Sequence, residues 1–130
     1  MSDVVYALGR ALMSVIFIVS GYNQLIAIAG FTGYLGRLGV PSPQAVAWGV
    51  AAFELVAGVM LLVGFKTRWA ALALAVFTAV ALYMAHKFWA VPPDQYSNQL
   101  NHALKNVAMI GGFLLLAAYG GGRLSIDRGR

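Results

Sequence analysis

The chain of 130 residues is 61% hydrophobic and 10% charged, against roughly 25% charged residues in an ordinary soluble domain. With a mean hydropathy of +0.77, it reads as one domain, 1–130, of an all-α polytopic membrane protein. The absence of cysteine excludes disulfides, thiol redox chemistry and thiolate metal sites, and the net charge of +5 is no nucleic-acid footprint, because the basic residues punctuate helix ends instead of forming a stripe.

Charge-free runs mark the spans, each about 20 residues because the hydrocarbon core is ~30 Å thick. They must be helices, since no strand alternation or barrel-sized length is present. The first span, near 5–26, carries Arg10 about a turn inside its edge, where a long side chain can snorkel to water. It ends in the polar group Ser20, Gly21, Tyr22, Asn23 and Gln24. The segment AIAG at 27–30 has the look of a signal-peptidase site, but Asp3 balances Arg10, and the helix is read as retained.

The connector GFTGYLGRLGVPSPQ, with four glycines and two prolines, is expected to be a loop with an interfacial turn around Tyr34 to Leu38. Pro41 and Pro43 suit entry into the second span, 44–64, with Ser42 as a candidate cap. GFKTR is a tight turn, making the second and third spans an antiparallel hairpin. The third span, 67–88, sets Ala71, Ala75 and Ala79 on one face suited to close helix packing. The fourth, 102–120, has Gly111 and Gly112 for the same purpose, and the tail GGGRLSIDRGR is expected to fray. Trp48, Trp89 and Tyr96 mark one membrane interface, Trp69 and Tyr119 the other.

Four spans put both termini and the Lys66/Arg68 turn on one side. That side carries six basic residues (Arg10, Lys66, Arg68, Arg123, Arg128, Arg130) against three on the other (Arg37, Lys87, Lys105). By the positive-inside rule both termini are cytoplasmic. The polar stretch 86–106 then faces outward.

Glu54, in the middle of the second span, is the sharpest chemical signal. An acid there costs ~2.5–3.5 kcal/mol on insertion scales, so it is expected to face the bundle interior, paired or protonated, and to be able to carry a proton. Arg10 is a poor partner, because helical side chains lean toward their own N-terminus and the two lean apart. The better candidates are Asn23 and Gln24 on the first span, Tyr83 and His86 on the third, and His102 and Asn106 at i, i+4 on the fourth. Together they describe an outward polar pocket with Glu54 at its floor. The bland reading is that His86 and His102 are polar punctuation at a membrane edge and that Glu54 is a protonated interhelical hydrogen bond. Neither a bis-histidine haem site nor a metal site of Glu54 with the two histidines is favoured.

The stretches LGRALMSVIFIVSGYNQL, FELVAGVMLLVGFKTRWAALAL and LKNVAMIGGFLLLA, with His86 between the last two, resemble the DoxX family of membrane proteins. The resembling positions are Arg10, Ser20 and Gly21, Glu54, Gly64 with Thr67 and Arg68, His86, and Lys105 with Asn106. The family pattern has a lysine where this chain has Gln24, so a role needing positive charge there is not carried over. The resemblance implies a four-helix protein of the bacterial inner membrane, linked to thiosulfate:quinone oxidoreductase small subunits or to membrane redox and oxidative-stress complexes.

Three functions stay open at this point. In the first, the chain is an accessory or quinone-interacting subunit of a redox system. Glu54 and His86 act in proton exchange, while Asn23, Gln24, Tyr83, His102 and Asn106 hold the ligand, and quinone is the cofactor. In the second it is a small-molecule or proton-coupled transporter. In the third it is an assembly partner without chemistry, a homo-oligomer or a holder of redox subunits, with Arg10, Gly21, Arg68 and Lys105 as structural positions.

Overall fold

The computed structural model describes residues 2–128, and Arg130 of the charge count lies outside them. Five α-helices follow in order: α1 Ser2–Ile26, α2 Ile28–Arg37, α3 Pro43–Val63, α4 Thr67–Ala85 and α5 Pro93–Tyr119, with a 3₁₀ turn Phe88–Ala90 before α5. No strand occurs among the described residues. α1, α3, α4 with the 3₁₀ turn, and α5 are each long and apolar enough to cross a membrane. The helices alternate in direction, so the start of α1 and the segment after α5 meet at one end of the bundle and α2 lies at the other.

The packing is two antiparallel pairs, α1 along α3 and α4 along α5; α3 also packs on α4, while α1 and α5 touch sparingly. Glycine sets the closeness of the first pair. A Cβ on Gly21 would stand 2.8 Å from the Leu55 nitrogen and 2.9 Å from the Ala51 oxygen, and one on Gly58 would meet Ile18 at 2.9 Å. Small residues let helix backbones approach where lipid supplies no hydrophobic drive. The dry centre is Phe17, Ala57, Leu61, Ala71, Leu74, Ala75, Phe113 and Leu116. Phe17 meets Phe113 at 5.5 Å and Phe77 at 6.3 Å between ring centres. Leu12, Val15, Val19, Val56, Val76 and Leu115 stay exposed, as lipid-facing residues should.

Several expectations are corrected. The connector is not a loop: residues 28–37 form α2, separated from α1 by Ala27, whose backbone (φ −129°, ψ 44°) leaves the helical region. α5 begins at Pro93, nine residues before 102, because a proline opens the first turn and Asp94 sits where the helix dipole favours an acid. Ser42 is left-handed at φ 50° and makes no capping bond. On α4, Ala71 and Ala75 are buried but Ala79 is exposed. On α5, Gly112 packs against Met13, whereas Gly111 has open space beside it.

The largest correction concerns the end of the bundle that holds the termini. Arg10 does not snorkel outward; it is 5% exposed and donates to the Gly121, Leu62 and Leu124 carbonyls, the last at 2.9 Å. Tyr6 donates to the Gly120 carbonyl at 2.6 Å. The tail is folded. The amides of Ile126 and Asp127 donate to the Val63 and Gly64 carbonyls, and the Asp127 carboxylate accepts from the amides of Lys66 (2.8 Å) and Thr67 (2.7 Å). Asp127 thereby caps α4 from 60 residues away along the chain and steadies Lys66, left-handed at φ 47°. Arg68 donates to the Ala117 and Ala118 carbonyls in the last turn of α5. Orphan amides and carbonyls at helix ends need such partners. Here they come from distant residues, so Arg10, Gly64, Thr67 and Arg68 form a structural clasp.

Candidate functional site

Glu54 lies in the middle of α3, 6% exposed. Ser20 and Gln24 of α1, one helical turn apart, lie within hydrogen-bonding reach of its carboxyl. Gln24 Nε2 donates to Ser20 Oγ at 3.0 Å, which leaves the amide oxygen of Gln24 to point elsewhere. Neither Gln24 Oε1 nor Glu54 Oε2 has a hydrogen-bond partner among the protein groups, though both atoms are buried. Among the described residues no cation bonds to Glu54; the guanidinium of Arg10 is committed to carbonyls at the other end.

Above Glu54, on the α2 side, is a cavity of ≈ 540 Å³. α2 roofs it with Phe31, Tyr34 and Leu35, the 38–41 turn closes one edge, and Val46, Val50, Phe77, Val80 and Met84 form the walls. Its polar side chains are Gln24, Tyr34 and Glu54. Phe77 packs on Phe53 at 5.2 Å and on Phe17, which fixes the ring that forms one wall. The cavity exists because α2 folds back onto α3 instead of continuing α1, leaving a space between α2, α3 and α4. Leu35, 8% exposed, anchors it.

The other residues singled out from the sequence are dispersed. Asn106, half-buried on α5, lines a second, smaller chamber that Glu54 also borders. Asn23 is exposed on the lipid-facing side of α1. His86 and His102 stack on each other, 4.9 Å between ring centres and 15° from parallel, and His86 Nδ1 pairs with Gln99 Oε1 at 3.0 Å. They do not line the Glu54 cavity. Tyr83 points away too, 63% exposed, with Lys87 over its ring at 5.1 Å. Lys105 is exposed. Gly21 lies at the α1–α3 contact, and Arg10 and Arg68 belong to the clasp. Among the described residues no group of three or more His, Asp or Glu is placed to hold a metal ion. Sequence reasoning missed the roof residues Phe31, Tyr34 and Leu35 and the buried hydroxyl of Thr78. The signal for the roof was the spacing Phe31, Tyr34, Leu35, Leu38, one helical face inside a glycine-rich segment.

Fold and site together define a small four-span membrane protein with a buried carboxyl beneath an apolar, helix-roofed cavity. The chain belongs to the DoxX family, whose pattern it matches over residues 5–87. It is 36% identical to the inner membrane protein YqjF of Escherichia coli K12 over 98% of this chain and 93% of that one. It is 30% identical to the inner membrane protein YphA of the same organism, over 96% and 89%. A more distant similarity, 27% over 81% of this chain and 35% of the other, is to the Surfeit locus protein 4 homolog of Schizosaccharomyces pombe. No solved structure matches the chain.

Proposed function

We propose that this protein is an inner-membrane subunit that binds a quinone headgroup in the α2-roofed cavity and exchanges protons with it through Glu54, serving a partner redox protein that supplies or takes the electrons. One observation carries this reading. An apolar cavity of ≈ 540 Å³ is lined by Gln24 and Glu54, each of which carries a buried oxygen without a hydrogen-bond partner among the described residues. Small-molecule sites are apolar clefts of about 300–1,000 Å³ with a few convergent polar groups, and an unpaired buried polar group is costly enough to require a partner. Protonated Glu54 can donate to a quinone carbonyl. The free Gln24 oxygen can accept from a quinol hydroxyl, and Phe31, Tyr34 and Phe77 can flank the ring. This keeps Gln24 and Glu54 in the roles of the sequence reading and leaves out His86, His102, Asn23 and Tyr83, which do not line the cavity. The basic-residue bias supports cytoplasmic termini, which sets the cavity in the outer half of the membrane.

The test is purification in mild detergent followed by lipid extraction and mass spectrometry. Wild type is expected to retain quinone, and Glu54→Gln, which keeps the shape and removes the acid, to retain about tenfold less. Equal retention by both proteins, or none by either, would overturn the reading and leave Glu54 as an interhelical hydrogen-bonding group.

A further inference from the structure

Glu54 borders two spaces. One is the ligand cavity. The other is a chamber of ≈ 120 Å³ at the bundle axis, bordered by all four long helices: Ser20 on α1, Glu54 on α3, Thr78 on α4 and Asn106 on α5, with Phe17 and Met109 among the apolar walls. The chamber arises where α1 and α5 diverge, since these two helices touch sparingly and meet where Met13 covers Gly112. Phe17 and Phe77 line it, and Phe17 packs on Phe113.

Its chemistry differs from that of the cavity. Thr78 is 2% exposed and Glu54 6%, yet neither Thr78 Oγ1 nor Glu54 Oε2 has a hydrogen-bond partner among protein groups. Ser20, Glu54, Thr78 and Asn106 put four polar side chains around one small chamber, which meets the conditions for bound water. A site needs about 10–15 Å³ and two to four polar partners per water, so there is room for several molecules. Asn106 is half-buried, and one turn before it on α5 His102 is exposed, in the polar segment that leaves the bundle toward the α2 end.

From this we infer that the chamber is a hydrated proton passage, with Thr78 and Asn106 as its positioning residues. Through it Glu54 exchanges its proton with water at the α2 end of the bundle without opening the ligand cavity. It builds on the reading of Glu54 as the acid that serves the ligand. The step is simple: a Glu54 carboxylate takes a proton from hydronium delivered along the chamber, giving the carboxylic acid and water, and the reverse step discharges it. A lipophilic ligand can then sit against Glu54 in the cavity while protons arrive along the chamber.

The experiment is infrared spectroscopy on the whole purified protein. The carbonyl stretch of a protonated carboxylic acid is assigned to Glu54 by its absence in Glu54→Gln, and its shift is timed after transfer to D₂O. Wild type is expected to show the band and shift it promptly. Thr78→Val and Asn106→Leu are expected to slow the shift by roughly tenfold, the effect of losing one hydrogen-bonding partner. Thr78→Ser, which keeps the hydroxyl, should restore the wild-type rate. Helicity by circular dichroism shows that each variant is folded. An absent band in wild type, a band that never shifts, or unchanged rates in both folded variants would overturn the passage. Quinone content measured on the same samples tells the two ideas apart. Exchange slowed by Thr78→Val in a protein that holds no quinone sinks the ligand alone, and quinone retained with unaltered exchange sinks the passage alone.

Discussion

Gly21→Val is expected to destabilise the protein by about 3 kcal/mol, the upper range for forcing atoms into a packed interface. The reason is the nature of the obstacle. The new Cβ would stand 2.8 Å from the Leu55 nitrogen and 2.9 Å from the Ala51 oxygen, both backbone atoms of α3, and backbone in a helix cannot swing aside as a side-chain tip can. α1 and α3 would have to separate along their shared length, which also shifts Glu54 relative to Ser20 and Gln24. Gly21→Ala meets the same atoms with less bulk and gains up to ~1 kcal/mol of helix propensity, so its loss should be smaller. Gly49→Ala is the control, since nothing lies within 4 Å of its added carbon. Unfolding by sodium dodecyl sulfate, followed by circular dichroism in mixed micelles, measures all three. A Gly21→Val protein as stable as Gly49→Ala would refute the close α1–α3 contact.

Arg10→Leu is the second large effect, and it acts at the other end of the molecule. The guanidinium serves the carbonyls of Leu62 at the end of α3 and of Gly121 and Leu124 in the tail. Bonds from a charged donor contribute about 1.5–3 kcal/mol each, and a carbonyl left buried without a partner costs about 1–3 kcal/mol. A loss of 3 kcal/mol or about that is therefore expected even if water relieves some of the carbonyls. The tail should come loose first, because its hold on α3 and α4 depends on Arg10, Tyr6 and Asp127 together. Trypsin cleavage after Arg123 is the direct readout, faster in Arg10→Leu than in wild type. Arg10→Lys should fall between them, since an ammonium is a point donor that cannot span several carbonyls as the planar guanidinium does. Equal cleavage rates in wild type and Arg10→Leu would contradict the clasp.

How much of this was legible beforehand depends on the range of the interaction responsible. The four spans are written in charge-free runs of local sequence, and the structure has four helices at those places. Direction along a helix is also local, so the argument that Arg10 and Glu54 lean apart agrees with where each side chain lies. α2 was read as a loop because four glycines between 30 and 39 weigh against a helix. What outweighs them is the burial of Leu35 and the packing of the apolar face on α3, a tertiary effect. α5 was read too short because its first turns are polar, though Pro93 and Asp94 are helix-start residues. The tail's order depends on Asp127 reaching the amides of Lys66 and Thr67, and no window of sequence shows a bond across that separation.

The site was legible in part. Glu54 stood out because an intramembrane acid is rare, and its neighbours on α1 were named through Gln24. Thr78 did not stand out, since one hydroxyl in an apolar helix is common and only the chamber beside it gives it meaning. The histidines stood out for their chemistry, but the geometry stacks them on each other at the bundle's edge, away from the cavity that Glu54 borders.

The central claim is that a quinone headgroup occupies the space between α2 and Glu54, and photolabelling tests it most directly. Protein in mild detergent would be irradiated with an azido-quinone, digested, and the labelled residues located by mass spectrometry, with and without excess unlabelled quinone. The account predicts labels on the cavity-lining residues of α2 and α4, between 31 and 35 and between 77 and 85, suppressed by the competitor. Labels scattered over lipid-facing residues such as Trp69 and Val76, with no suppression, would contradict it.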